Sequence, residues 1–180
     1  ALKLGNLNSI TVFAKCHHSW CYYHTKVGKM HPNLTFDLLG EQIKAAHKIG
    51  VKAPIYITVG WSAMDALEYP GWLGKEKDGS LQPVNYDVDA MPDDRKPKVS
   101  WLNLCPNGEY GQHILALTRE ICERYDDVDG LFYDIVYFKE LCYCDSCLKG
   151  MVEKGYDSGN VLDAKKYFIE KRLEFAEDCR

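Results

Sequence analysis

Val128-Asp-Gly-Leu-Phe-Tyr-Asp-Ile-Val136 is an apolar, β-branched and aromatic run in which one acid, Asp134, sits near the far end. A short run of this composition predicts a strand covered on both faces, as in a parallel sheet. An ionised carboxylate inside such a strand is costly unless it is paired or chemically employed. Asp134 is therefore expected at the strand's carboxyl end, facing either a bonded neighbour or a site.

Two other runs share this character. Residues 9–14 (Ser-Ile-Thr-Val-Phe-Ala) and residues 51–59 (Val-Lys-Ala-Pro-Ile-Tyr-Ile-Thr-Val) predict strands, with Pro54 near a strand start where a missing N–H is tolerable. Between them, residues 36–49 place Leu39, Ile43 and Ala46 on one helical face, and Gly50 is a stop signal. Residues 109–125 repeat the pattern with Ile114, Leu117, Ile121 and Tyr125, capped by Asn107 or Gly108, and a further helix is expected over about 162–179. Residues 60–105 form a long aromatic connection, a length that suggests function.

Strand–helix–strand–loop–helix–strand–helix implies right-handed βαβ units around a parallel sheet. A doubly wound sheet and a TIM barrel both fit that order. No glycine-rich phosphate fingerprint follows any strand, which disfavours the first. Polar and aromatic residues instead gather after every strand, at 15–20, 60–61 and 134–137, as on a barrel's carboxyl face. The expectation is an α/β fold of the (β/α)8 TIM-barrel type. A full barrel takes about 250 residues. The 180 residues are therefore expected to form a single domain, 1–180, that is an incomplete, amino-terminal portion of one.

Composition narrows the function classes. With 46% hydrophobic and 27% charged residues, the chain has the makings of a globular core. A net charge of −4 with interspersed signs offers neither a basic face for nucleic acid nor a polybasic cluster for a membrane surface. The sequence begins at Ala1, so a leader could have been removed, and a cytoplasmic location is the working expectation.

The eight cysteines point to metal rather than disulfides. Cys142, Cys144 and Cys147 are too crowded for mutual bridges, and a core of this size needs no covalent staples. Cys105 precedes the helix that leads back to the same sheet end, and supplies a fourth thiolate. Cys105, Cys142, Cys144 and Cys147 would make a structural zinc site, since four thiolates leave no open position for water. Reduced thiols without metal are the alternative.

Lys15-Cys-His-His18 follows the first strand, with Trp20, Tyr22, Tyr23 and His24 close behind. Adjacent histidines in an extended chain point to opposite sides, so at most one would face a pocket. His17 or His18 could bond a sugar hydroxyl, and Trp20 could stack on a pyranose face. A histidine filling the rim and an aromatic covering the core would look the same. Trp61 and Trp101 are equally readable as sugar platforms or as lids over the core.

These segments carry a family resemblance. Val12-Phe-Ala-Lys-Cys-His-His-Ser-Trp20, with Thr25-Lys-Val-Gly28 following, resembles the Lys-His-His segment of family 29 α-L-fucosidases, and Gly130-Leu-Phe-Tyr-Asp134 resembles the strand carrying their nucleophile. Leu104-Cys-Pro-Asn107 and Cys142-Tyr-Cys-Asp-Ser-Cys147 are similar to the zinc-cysteine motif of family 42 β-galactosidases. There the equivalent strand ends in Asn-Glu. Here Asp-Ile-Val-Tyr stands instead, so the acid/base role is not carried over. Across about residues 8–156 the chain resembles a group of "hypothetical glycosyl hydrolase" barrels that combine these features. The fucosidase segment continues His-His-Asp-Gly-Phe, whereas Ser19-Trp20 stands here, so fucose specificity is not carried over.

The resemblance implies a glycoside hydrolase-like domain working by a retaining carboxylate mechanism. Asp134 would be the nucleophile, His17 or His18 would hold a hydroxyl, and Trp20 and Trp61 would shape the subsite. Retention requires a second carboxyl group about 5 Å away. Asp65, Glu68 and Glu140 are loop candidates, each expected to be solvated. The expected partners are a carbohydrate substrate and, in a homo-oligomer, further copies of the chain, with no nucleic acid and no membrane. The competing expectation is a non-catalytic carbohydrate-binding barrel with a structural zinc site. A metal-dependent hydrolase built on His17 and His18 ranks last, because adjacent histidines converge poorly on one ion.

Overall fold

The computed structural model describes residues 1–82, 102–137 and 139–180. Trp101 lies outside them. Three parallel strands form the centre: β1 (Val12–Lys15), β4 (Ile55–Thr58) and β5 (Leu131–Asp134), with β4 between the other two. Each is shorter than its apolar run because ladder pairing covers only four residues of it.

The predicted helices appear as α1 (Leu38–His47), α3 (Glu109–Arg124) and α5 (Val161–Asp178). Asp37 caps α1, its Oδ1 accepting from Gly40 N at 2.9 Å, and the chain leaves that helix through Gly50 at φ +69°. Gly108 stands at the N-cap of α3, as one of the two expected caps.

The sheet is mixed, not purely parallel. After β1 the chain doubles back into β2 (Trp20–Cys21), antiparallel to β1, and then β3 (Lys29–Met30) extends the edge to give the order β3-β2-β1-β4-β5. Glu120 on α3 holds this excursion, accepting from the Tyr23 hydroxyl at 2.8 Å, the Thr25 hydroxyl at 2.6 Å and the Lys26 amide at 2.6 Å. The long connection also contains a short helix, α2 (Ala63–Glu68), and a 3-10 turn at Pro70–Trp72.

The core lies on one side of the sheet. Val12, Ala14, Ile55, Ile57 and Val59 meet Leu39, Ile43 and Ala46 of α1 and Ile114, Leu117 and Ile121 of α3. On the other face Phe13 stacks on Tyr56 at 4.3 Å, and Tyr56 meets Phe132 edge-on at 5.7 Å, with Phe13 and Phe132 nearly half exposed. These half-exposed aromatics leave that face only partly covered by the described residues. The described residues form an open five-stranded sheet, so the barrel itself is not seen.

A second, smaller core joins α4 (Asp145–Glu153) to α5. Met151, Ala164, Tyr167 and Phe168 pack there around Cys105, Cys142, Cys144 and Cys147.

Candidate functional site

Asp134 ends β5, in register with Thr58 at the end of β4. Its Oδ2 accepts the Tyr56 hydroxyl at 2.7 Å. Burial, and then this bond to a carboxylate, raises the Tyr56 pKa above the ordinary phenol value, so the phenol stays a donor. The next residue, Ile135, is left-handed at φ +54°, a conformation rare for a β-branched side chain and typical of strained functional turns. Neighbouring backbone pins that turn: Val59 N donates to Asp134 O at 3.0 Å and Gly60 N to Ile135 O at 2.7 Å.

The histidines sit across from this carboxylate, at the end of β1. They do not occupy extended chain. Cys16 to Trp20 is a tight reversal, with Ser19 N donating to Cys16 O at 2.9 Å and Cys16 N to Trp20 O at 3.0 Å. The two imidazoles consequently lie together, with centroids 4.3 Å apart, and both line a hollow of about 400 Å³ with Phe13, Cys16, Tyr22 and Leu38. Opposed side chains were expected, and the turn is the reason they are not found. Burial and the neighbouring His18 lower the His17 pKa, while the Asp134 charge pulls it back up. The net direction favours the neutral imidazole, and His17 lies within electrostatic reach of Asp134.

Trp61 follows β4 and meets His17 edge-on at 6.2 Å. Trp20 lies on β2 with its ring edge-on to His31 at 6.0 Å. The structure therefore brings Asp134, His17, His18 and Trp61 to one end of the sheet, with Trp20 directed along the excursion.

Glu68 and Glu140 are exposed, as expected of the loop carboxylates, and Asp65 is the exception. Asp65 is not solvated: it is buried and paired with Lys15 at 3.3 Å. Glu68 pairs with Lys29, and Glu140 with Lys165 at 2.9 Å. The buried Lys15–Asp65 pair, joined by Ser19 and Ser62, was missed by sequence reasoning. Its only sequence signal was Lys15 itself, a charge at the end of an apolar strand.

The four cysteines do converge. Their sulfurs all lie within 4.8 Å of one another and every one of the residues is buried. Tetrahedral zinc with bonds of about 2.3 Å requires sulfurs about 3.8 Å apart, and Cys105 and Cys147 stand at 3.4 Å. Two donors face the sulfurs, Asn107 Nδ2 to Cys147 at 3.5 Å and Cys144 N to Cys142 at 3.4 Å. Hydrogen bonds, chiefly from Cys105, hold the Cys144 thiol well below its ordinary pKa, while Cys105 is raised by its bond to Cys142. The donor set suits a thiophilic cation such as Zn²⁺. Among the described residues this is the group placed to hold a metal, and His17 and His18 are no part of one. No helix of the described residues is long and apolar enough to cross a membrane.

Comparison with known proteins bears on the family and the fold. An α-L-fucosidase isoenzyme 2 from Paenibacillus thiaminolyticus is 39% identical over 99% of this chain and 26% of its own, with a TM-score of 0.84. The chain thus spans about a quarter of that enzyme's length. A hypothetical protein from Ruminiclostridium thermocellum shares the fold, at 12% identity over 98% of this chain and 82% of its own, with a TM-score of 0.62. A β-galactosidase from the psychrophilic Marinomonas ef1 shares it too, at 15% identity, 92% and 23% coverage and a TM-score of 0.55. No curated protein sequence matches the chain. The family model described as hypothetical glycosyl hydrolase 6 matches residues 2–135, through all of β1, β4 and β5, and the chain belongs to that family.

Proposed function

We propose that this chain forms the first part of a (β/α)8 glycoside hydrolase domain in which Asp134 is the nucleophile of a retaining mechanism. The supporting observation is the placement of Asp134 at a strand's carboxyl end, beside a left-handed Ile135 and opposite His17. Tyr56 bonds one carboxylate oxygen, which leaves the other free to attack an anomeric carbon. A neutral His17, or His18 beside it, holds a sugar hydroxyl, and Trp61 and Trp20 border the subsite. An α-L-fucoside is the first substrate to try, because the fucosidase of Paenibacillus thiaminolyticus is 39% identical. In the full-length protein Asp134→Asn should abolish aryl-fucoside turnover with an unchanged thermal midpoint. Unchanged turnover would remove Asp134 from the mechanism.

One observation favours the rival reading, carbohydrate binding without hydrolysis. Asp65, Glu68 and Glu140 are all engaged with lysines, so none is poised as the acid/base. Glycan binding that survives Asp134→Asn, with no hydrolysis by the unsubstituted protein, would favour that reading.

Cys105, Cys142, Cys144 and Cys147 would hold one Zn²⁺, which ties the loop after β5 to the start of α3 and has no open position for catalysis. Asn107 extends the tie: its Oδ1 accepts the Tyr137 hydroxyl at 2.9 Å, three residues beyond Asp134. Such a site needs reduced thiols, in keeping with a cytoplasmic compartment.

A further inference from the structure

Between the ends of β1 and β4 lies a polar cluster that takes no part in the chemistry above. Lys15, Ser19, Ser62 and Asp65 are each at most 5% exposed. Lys15 Nζ bonds Ser62 Oγ at 2.5 Å and pairs with Asp65 at 3.3 Å, Ser62 also bonds Asp65, and the Ser19 and Ser62 hydroxyls are 2.8 Å apart. Burying an ion pair is weak as a stabilising device, because desolvation offsets the attraction. Its placement indicates another use.

The register between β1 and β4 slips between Phe13 and Lys15, a bulge that turns Lys15 into the buried layer. Ser19 closes the histidine turn at φ +78°, a left-handed position that glycine or asparagine ordinarily takes. Its hydroxyl accepts from Met64 N at 2.8 Å and from Asp65 N at 3.0 Å, capping the first turn of α2 from a distant part of the chain. Ala63 N donates to His17 O at 2.9 Å. The turn that bears His17 and His18 is thereby fastened at two points to α2, and α2 is fastened to Lys15. Trp61 immediately precedes Ser62, so its backbone is set by the same fastening.

We propose that Lys15, Ser19, Ser62 and Asp65 are positioning residues that set His17, His18 and Trp61 against Asp134. The inference rests on reading that end of the sheet as the glycoside site. In the full-length protein, the variants Ser19→Gly and Ser62→Ala and the charge-free pair Lys15→Met/Asp65→Leu test it. Ser19→Gly keeps the left-handed turn without strain but leaves the Met64 and Asp65 amides without their acceptor, so its thermal midpoint should fall while the protein stays folded. KM for an aryl fucoside should rise about fivefold, the equivalent of one hydrogen bond of ~1 kcal/mol, with a smaller fall in kcat. A crystal structure of Ser19→Gly should show the His17 and Trp61 rings rotated from their present edge-on pairing. Folded Ser19→Gly and Ser62→Ala proteins with unmoved rings would overturn the proposal. Should the unsubstituted protein lack glycosidase activity, the Asp134 reading falls while the ring positions still decide this one.

Discussion

Gly60→Ala is the sharpest test of how the site is held. A Cβ at position 60 would lie 2.4 Å from the Ile135 carbonyl oxygen and 3.4 Å from Ile135 Cγ2. Close C···O contacts settle at about 3.3–3.6 Å, so the turn after Asp134 must retreat by roughly 1 Å. Overpacking of this kind costs about 1–3 kcal/mol, and stretching the Gly60 N to Ile135 O bond costs ~1 kcal/mol more. The total is about 2–4 kcal/mol, a drop in Tm of roughly 5–10 °C for a domain of this size. Thermal unfolding followed by circular dichroism measures it. Gly71→Ala is the control, since a Cβ there meets nothing within 4 Å, and it should stay within about 0.5 kcal/mol of the parent. Equal stability of the two variants would show that the turn is not pinned as described. The displacement should also reach the carboxylate, because the Asp134 carbonyl is bonded to Val59, one residue away from the substitution.

Other outcomes follow from the same contacts. Metal analysis of protein purified without chelator should find about one zinc per chain, absent from Cys144→Ser and retained in Cys122→Ser, whose thiol is exposed and outside the cluster. Chelation should lower the Tm of the parent and leave that of Cys144→Ser in place; zinc content unaffected by Cys144→Ser would rule the cluster out as the site. Glu120 supplies a pH test. Burial alone would raise its carboxyl, yet bonds from Thr25, the Lys26 amide and Tyr23 hold it below the usual 4.5. On acidification the unfolded chain takes up the proton first. The contribution of Glu120 is therefore complete above about pH 4.5 and lost as the pH falls through the lower folded value. The Tm gap between the parent and Glu120→Gln should shrink from about pH 7 to about pH 3, and a constant gap would contradict the assignment. Gly150→Ala would place its Cβ 2.2 Å from the Tyr167 hydroxyl oxygen, and should loosen the α4–α5 core by about 1–3 kcal/mol in chemical denaturation.

What the sequence revealed divides along physical lines. The three central strands were legible because each is a concentrated apolar run, and α1 and α3 because their buried residues recur at helical spacing. Strand ends were not legible, since pairing rather than composition decides where a ladder stops. The β2–β3 excursion has two-residue strands held by a single distant acid, Glu120, and no local periodicity could announce it. For the site, Asp134 stood out as a charge in an apolar strand, and three of the four cysteines are neighbours in the chain. Asp65 was misjudged as solvated because its partner Lys15 is fifty residues away and reaches it only through a bulge. The adjacent histidines were assigned opposite directions on an assumption of extended chain that a left-handed Ser19 defeats.

The sulfur cluster also bears on how the molecule comes together. Cys105 lies before α3, and Cys142, Cys144 and Cys147 lie after β5, so the helix and the strand bearing Asp134 belong to one loop whose ends meet at the four sulfurs. Cys105 and Cys147 are separated by 42 positions. Cross-linking a loop of that length removes freedom from the disordered chain equivalent to about 4 kcal/mol on the chain-entropy account. A cation held at the loop's neck would make its capture and the insertion of β5 beside β4 steps of one cooperative event, each making the other less improbable.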